Sequence, residues 1–309
     1  MSAVKRGQSG LSGVLLVDKP SGMTSHDVVN RVRRAAGERR VGHAGTLDPS
    51  ATGLLVVLVG PATRLEPYLS AKSKDYEARI GFGAETDTDD VEGVVVREAP
   101  VPKSVFDEDA ARSVLDGFLG DSLQTPPQYS AIKVGGRVAH RVARGGGRTE
   151  LQARPIRVDS AELRAIDVVG RAWLVDLAVS KGTYIRSLAR DIGAATGSAA
   201  HLVSLRRTAV GAMSVDEAHT LEQIDKVCVQ GALPSLFIDP VRALGVTVIE
   251  VAPGMVDDGR PISVDAAGRV DDDALAAVVT GGRLAALYRR RGRGLVAEVV
   301  FATPVARAS

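Results

Sequence analysis

The stretch GHAGTLDPSATGLLVVLV, residues 42 to 59, places a glycine-bounded loop directly before an apolar run. The run LLVVLV predicts a buried strand. The loop has neither helical nor strand periodicity, and its one acid, Asp48, precedes Pro49. Proline biases the preceding residue toward an extended backbone, and the flanking glycines free the chain to turn or to approach a ligand. Asp48 is therefore either a displayed reactive carboxylate or a helix N-cap with Pro49 at the first helical position.

The segment upstream of this loop predicts a strand followed by a helix. GVLLVDKP, residues 13 to 20, is a buried strand that stops at Pro20. The helix that follows is capped by Thr24 or Ser25, has apolar residues at helical spacing, and ends before Gly37.

Downstream, alternating and helical patterns continue to interleave. In KDYEARIGFG, residues 74 to 83, apolar and polar residues alternate, which places Tyr76 on the inner face of a strand. A helix is predicted over 107–119, and two strands are predicted around 154–163 and 172–180. We therefore expect an α+β (mixed α/β) fold with a central, mostly antiparallel sheet flanked by helices.

Composition favours a globular protein and excludes several classes. The chain has 309 residues, 45% of them hydrophobic, with one cysteine and five histidines that show no metal spacing. We expect no disulfide framework, no metal and a cytoplasmic location. The apolar runs are too short for a membrane span. Neither a G-x-x-x-x-G-K-[ST] phosphate loop nor a G-x-S-x-G elbow is present, so the usual anchors of NTPases and hydrolases are missing.

The charges are unevenly distributed along a chain of net charge +2. Residues 31–40 hold five arginines against one glutamate, residues 133–157 hold seven Lys or Arg against one glutamate, and residues 288–294 hold four arginines. Acids gather at 85–93 and 271–273. This distribution favours a basic face for a polyanion, with acid elsewhere keeping the protein soluble. The alternative is solvated charge on unrelated faces.

Six segments, in this order, resemble the bacterial TruB family of tRNA pseudouridine-55 synthases. They are DKPSGMTSHDVV (18–29), GHAGTLDPSATGLLVV (42–57), KDYEARIGFGAETDTDD (74–90), PPQYSAIKVGG (126–136), SKGTYIRSLARDIG (180–193) and LRRTAVGAM (205–213). The resemblance covers about residues 12 to 230. Residues 247–303 are similar, less closely, to the small C-terminal RNA-binding module of that family, which resembles a PUA domain.

The resemblance implies a domain organisation. Residues 1–12 are expected to be a flexible extension and residues 13–240 the pseudouridine synthase catalytic domain. Within that domain, about 125–157 is expected to be an RNA-binding insertion. The β-rich, PUA-like module then spans 247–303.

The resemblance also implies catalytic roles. Asp48 matches the catalytic aspartate of the G-x-L-D-P motif, which favours chemistry over the N-cap interpretation. Tyr76 matches the tyrosine that stacks on the target uracil, and it is also a candidate base for the C5 proton. Tyr184 and Arg186 match the pair in K-G-T-Y-[IV]-R, where the arginine faces the aspartate.

Further residues match positions that bind or support the substrate. Leu205 falls at the apolar position that lines the pocket, and His43 matches the residue that takes the place of the flipped base. Lys19 and Pro20 match the D-K-P stretch and are expected to support the site. His140 departs from the family pattern, in which a tyrosine is expected nearby.

The implied reaction isomerises uridine-55 of tRNA to pseudouridine without a cofactor. Its partner is the T-arm stem-loop of tRNA, from which the base is extruded at a cost of a few kcal/mol, and neither a membrane nor an obligate protein partner is implied. Asp48 acts at C1′ or at C6 of the uracil, and the sequence does not choose between them. The alternative class is a non-catalytic RNA-binding protein with the same basic face, although binding alone does not require a carboxylate in an anionic site.

The basic insertion generates a prediction about salt dependence. The arginines concerned are Arg137, Arg141, Arg144 and Arg148. Replacing two of them with alanine should weaken tRNA binding and lower the slope of log affinity against log salt by about one unit per lost phosphate contact. The single-turnover rate at saturating enzyme should change much less. An unchanged salt slope would identify the segment as solvated charge.

Overall fold

In the computed structural model, two compact units are formed by Met1–Lys72 with Ala209–Ser309 (unit 1) and by Ser73–Thr208 (unit 2). The structure describes residues 9–130, 132–134, 137–138, 142, 145, 147, 149–256, 258–263 and 270–307.

The described strands and helices follow the chain in a fixed order. The strands are β1 (Gly13–Lys19), β2 (Val41–His43), β3 (Thr52–Val59), β4 (Lys74–Phe82), β5 (Ala84–Thr86), β6 (Val95–Glu98), β7 (Gly120–Gln124), β8 (Lys133–Val134), β9 (Arg137–Val138), β10 (Arg154–Asp167), β11 (Ala172–Val179), β12 (Ala200–Val210), β13 (Met213–Ser214), β14 (Phe237–Ile238), β15 (Thr247–Glu250), β16 (Ile262–Ser263), β17 (Leu275–Thr280), β18 (Arg283–Arg291) and β19 (Gly294–Ala306). The helices are α1 (Ser25–Ala36), α2 (Glu66–Ser70), α3 (Glu108–Asp116), α4 (Ile185–Ala195), α5 (Leu221–Val229) and α6 (Pro240–Leu244).

Unit 1 pairs β14, β1, β3 and β2 in that order, with antiparallel neighbours throughout. The register sets Lys19 at the end of β1 opposite Gly53 at the start of β3, and it sets His43 of β2 opposite Val57. The loop that carries Asp48 connects β2 to β3. The register therefore brings the end of β1 to the base of this loop.

β1 and β3 are buried on both faces. One face, which includes Leu15 and Val57, packs with apolar residues of α1 and α5. The opposite face, which includes Leu16 and Val56, joins a cluster that contains Leu287 and other residues of β17–β19. Burial on both faces explains why these strands have continuous apolar runs instead of alternating ones.

The C-terminal part of unit 1 is a five-stranded sheet in the order β15, β17, β18, β19, β16. The β15–β17 pair is parallel and the other pairs are antiparallel. The predicted β-rich character of this region is confirmed.

Unit 2 contains neighbouring strands in the order β12, β4, β11, β10, β7. The β4–β11, β11–β10 and β10–β7 ladders are antiparallel, as predicted. Trp173 of β11 is buried in this core. Its indole N–H donates to the Val105 carbonyl at 2.7 Å, and its ring packs edge to face against that of Phe82, with 4.8 Å between the ring centroids. The α+β prediction is therefore confirmed.

Capping fixes both ends of α1. The Thr24 hydroxyl accepts from the Asp27 amide, and the Asp27 carboxylate accepts from the Thr24 amide, which completes a capping box. Gly37 ends the helix in the left-handed conformation at φ 59°. Of the two cap residues considered from sequence, Thr24 is the one used. No helix among the described residues has the length and apolar character needed to cross a bilayer.

The Thr24 cap generates a stability prediction. Thr24→Ala removes the oxygen that accepts from the Asp27 amide and should lower the free energy of unfolding by about 1 kcal/mol. Thr24→Ser retains a hydroxyl at the cap and should lose less. Denaturant unfolding of both variants measures the difference, and equal losses would show that the cap hydroxyl contributes nothing.

Candidate active site

The loop that carries Asp48 contains no helix. Residues 49 and 50 form a bend, the Ala51 amide donates to the Asp48 carbonyl at 3.2 Å, and the chain enters β3 at Thr52. Gly45 and Gly53 have φ values of 103° and 96°, a region that glycine enters without strain. The N-cap interpretation of Asp48 is therefore wrong, because no helix follows for it to cap.

The residues on both sides of Asp48 are held by buried polar groups. Ser25 at the start of α1 accepts from the Leu47 amide at 2.8 Å and donates to the Leu47 carbonyl at 3.1 Å. The Lys19 ammonium, with 0% exposure, donates to the Pro49 carbonyl at 3.1 Å. Side chains at the end of β1 and at the start of α1 thus hold the main chain on both sides of Asp48. Asp48 itself is half-buried.

Unit 1 brings together four of the residues singled out from the sequence. Lys19 also donates to the carbonyl of Pro20, which is itself exposed after the end of β1. His43 is half-buried at the end of β2, on the same hairpin as Asp48. Lys19 therefore acts on the position of the Asp48 loop through main-chain carbonyls.

In unit 2, Arg186 lies in the first turn of α4 and is 6% exposed. Its guanidinium donates to the Thr88 carbonyl at 2.9 Å and to the Tyr129 carbonyl at 3.0 Å. Its Nε lies 3.6 Å from a carboxylate oxygen of Asp90. A buried charge requires partners of this kind, and they hold the plane of the guanidinium in place.

The acidic run at 85–93 organises the loop that holds Arg186. The Asp90 carboxylate accepts from the Thr88 hydroxyl at 2.6 Å and from the Glu92 amide at 3.0 Å. Asp89, at φ 61°, accepts from Arg190 at 2.9 Å, and burial raises the pKa of Asp89 to about 6. Asp89 and Asp90 are buried, so the expectation that acid here serves solubility is wrong at these two positions.

Tyr76 lies on β4 with 7% exposure, as its inward position predicted. Lys74 shares its face of the strand, and burial lowers the pKa of the Lys74 amine to about 8, with Arg207 and Lys181 as further positive neighbours. Leu205 is half-buried on β12, the strand beside β4. These neighbouring strands therefore carry an aromatic ring, an apolar side chain and cations, which suits a planar base with an attached phosphate.

Tyr184 is the N-cap residue of α4 and is half-buried, with no hydrogen bond from its own side chain to the helix backbone. Its main chain is bonded instead by the Gln124 amide. Sequence reasoning missed Ser25, Asp90, Gln124 and Tyr129 as site-supporting residues. The TruB-like segments contained three of them, but no local periodicity marks a side chain that bonds to a distant main chain.

The arginines of the basic runs differ in their partners. Arg31 donates to Asp225 at 2.7 Å, and Arg33 donates to the Val41 carbonyl at 3.2 Å. The exposed Arg34, Arg39 and Arg40, which we call the arginine patch, make no side-chain hydrogen bond or ion pair with the described part of the chain.

Near the C-terminus, two of the four arginines at 288–294 form ion pairs within unit 1. Arg289 pairs with Glu298, Arg291 pairs with Asp273, and Arg290 donates to the Val270 carbonyl. The expectation that this run adds its arginines to a basic face is therefore wrong for Arg289 and Arg291, whereas a carbonyl partner leaves the charge of Arg290 in place.

The insertion residues are only partly described. Arg137 belongs to β9, whereas Arg141, Arg144, Arg148 and His140 lie outside the described residues. No group of three or more His, Cys, Asp or Glu side chains within the described ranges is placed to hold a metal ion. The single cysteine, Cys228, is half-buried on α5.

Comparisons with known proteins agree on one family. The profile described as TruB family pseudouridylate synthase (N terminal domain) matches residues 33–185, and that described as tRNA pseudouridylate synthase B C-terminal domain matches residues 186–243. The "tRNA pseudouridine synthase B" of Opitutus terrae is 44% identical over 246 residues, which cover 80% of this chain and 97% of the relative. That of Mycobacterium leprae is 44% identical over 306 residues, covering 94% and 90% respectively.

A solved structure of lower sequence identity has the same fold. The structure titled "Crystal Structure of a Cbf5-Nop10-Gar1 Complex" matches with a TM-score of 0.71 and 27% identity, over 94% of this chain and 84% of that one. With the profiles, the relatives and the fold in agreement, this chain belongs to the TruB family of pseudouridylate synthases.

Proposed function

We propose that this chain is a tRNA pseudouridine synthase that isomerises uridine-55 in the T-loop. The observation that carries the proposal is the loop around Asp48, whose flanking residues are held by buried Lys19 and Ser25. Relatives named tRNA pseudouridine synthase B, at 44% to 50% identity, support tRNA as the substrate.

The reaction breaks the N1–C1′ bond, turns the uracil and joins C5 to C1′. The proton lost from C5 is balanced by one gained at N1, so no electrons are exchanged and no cofactor is required by the chemistry. Asp48 acts in its ionised form, either at C1′ or at C6. The family resemblance assigns Arg186 to the same reaction, and its held guanidinium supplies fixed positive charge.

In base flipping, one group of residues receives the uracil and another binds the RNA phosphates. Tyr76, Tyr184 and Leu205 receive the uracil, and His43 fills the gap that the base leaves in the T-loop. The arginine patch binds RNA phosphates, since it is exposed and has no internal partner among the described residues. The insertion at 125–157 and the PUA-like module at 247–303 add RNA contacts to a catalytic domain at 13–240. The enzyme acts in the cytoplasm and needs no obligate protein partner.

The role of Asp48 predicts a separation of binding from chemistry. Asp48→Asn should abolish pseudouridine formation and keep tRNA affinity within a few-fold, because the amide retains the shape but cannot serve as nucleophile or base. Carbodiimide-dependent reverse-transcription stops on unmodified tRNA measure the product, and filter binding measures affinity. Multiple turnover by this variant would refute the assignment. Absence of product with the wild-type protein, together with tight binding, would favour the non-catalytic alternative.

The arginine patch predicts a specific loss of RNA affinity. Replacing Arg34, Arg39 and Arg40 together with alanine should weaken tRNA binding by about tenfold or more at 0.1 M salt, because three phosphate partners are lost. A matched control removes three exposed arginines that already pair with acids. These are Arg112 with Glu108, Arg164 with Asp176, and Arg242 with Glu217. Equal losses in the two triple variants would reduce the effect to net charge and exclude specific contacts by the patch.

A further inference from the structure

Gln124, the last residue of β7, is 3% exposed and bonds to the main chain of a single residue sixty positions away. Its Oε1 accepts from the Tyr184 amide at 2.9 Å, and its Nε2 donates to the Tyr184 carbonyl at 3.1 Å. The side-chain amide of Gln124 thus bonds both main-chain polar groups of Tyr184, as a residue in a neighbouring β-strand can do. The backbone of Tyr184 is thus held from outside its own helix.

The start of α4 depends on this bond more than an ordinary helix start does. Tyr184 occupies the N-cap position at φ −97° and ψ 110°, and its own side chain makes no capping hydrogen bond. Most helices begin at Ser, Thr, Asp or Asn, whose side chains fix the first turn. Here the Gln124 side-chain amide holds the backbone of Tyr184, which sets the direction in which its side chain leaves the main chain.

The residues after Gln124 run along the same helix. The Thr125 carbonyl accepts from Arg190 at 3.0 Å, and the Tyr129 carbonyl accepts from Arg186 at 3.0 Å. These two bonds orient long arginine side chains. Gln124 alone among the three acts on the backbone of a residue that the proposed function assigns to the uracil.

We propose that Gln124 is a positioning residue for pseudouridine formation, which holds the Tyr184 ring in the orientation that receives the flipped uracil. The proposal rests on the proposed function, since it concerns the rate of that reaction. Gln124 touches no reacting atom. It acts through the main chain of Tyr184, so its loss should affect the chemical step more than RNA affinity.

The test compares a substitution of similar length at Gln124 with a control substitution elsewhere in unit 2, both in the full chain. Gln124→Met removes both hydrogen bonds and should lower the single-turnover rate at saturating enzyme by about tenfold to a hundredfold, with tRNA affinity within about twofold. Asp107→Ala is the matched control in unit 2, because it removes the cap hydrogen bond to the Ala110 amide of α3 and touches no site residue. Its rate should equal that of the wild type. Thermal unfolding of each variant shows whether the fold is retained.

The variant Gln124→Glu adds a second measurement, the pH dependence of its rate relative to the wild type, which a merely structural role of Gln124 would leave unchanged. A neutral carboxyl group both donates and accepts, as the amide does, whereas the carboxylate only accepts and faces the Tyr184 carbonyl without a proton. Burial raises the pKa of such a carboxyl group. The rate of this variant, divided by the wild-type rate at the same pH, should therefore rise as the pH falls from 8 to 6.

The outcomes separate the two proposals. A wild-type protein that makes no pseudouridine refutes the proposed function, whatever Gln124 does. An active wild type with a Gln124→Met rate equal to that of Asp107→Ala refutes the positioning role. If Gln124→Met does not fold, the pH dependence of Gln124→Glu decides, and a rate ratio that stays flat with pH refutes the role.

Discussion

The Lys19 ammonium is fully buried at the end of β1, where it donates to the carbonyls of Pro20 and Pro49. Moving a charge out of water costs on the order of several kcal/mol unless polar groups replace its hydration. The main-chain carbonyls supply that replacement here, and the loop that carries Asp48 is bound as a consequence. Lys19 is held in this position because β1 and β3 are packed on both faces.

Arg186 follows the same principle in unit 2. Its guanidinium is buried and donates to the carbonyls of Thr88 and Tyr129, with the Asp90 carboxylate nearby. In both units backbone carbonyls, whose places are fixed by the surrounding elements, thus accept hydrogen bonds from a buried cation.

Local patterns were sufficient for the longer elements named here and for the inward face of Tyr76, but not for the short strands β2, β5, β6 and β7. The apolar run of β3, the caps of α1 and the alternation of β4 are properties of short windows, and each was predicted correctly. The partners of charged residues were not predictable, because Arg31 bonds to Asp225 across 194 positions. Runs of like charge along the sequence therefore gave a misleading account of Asp89 and of Arg289, which the fold pairs with opposite charges. Gln124 was missed for a related reason, since its partner is a distant main chain.

Unit 1 is assembled from two stretches of chain that the whole of unit 2 separates in sequence. The apolar faces of β1 and β3 are covered partly by α5 and by β17–β19, which are synthesised long after them. Unit 2 is one continuous stretch of chain, so all of its strands and helices are synthesised before the second stretch of unit 1 begins. Unit 1 therefore has the higher contact order, and its early strands stay uncovered during synthesis. An exposed LLVVLV run at that stage is apolar, uncharged and free of proline, which are the properties of an aggregation-prone segment.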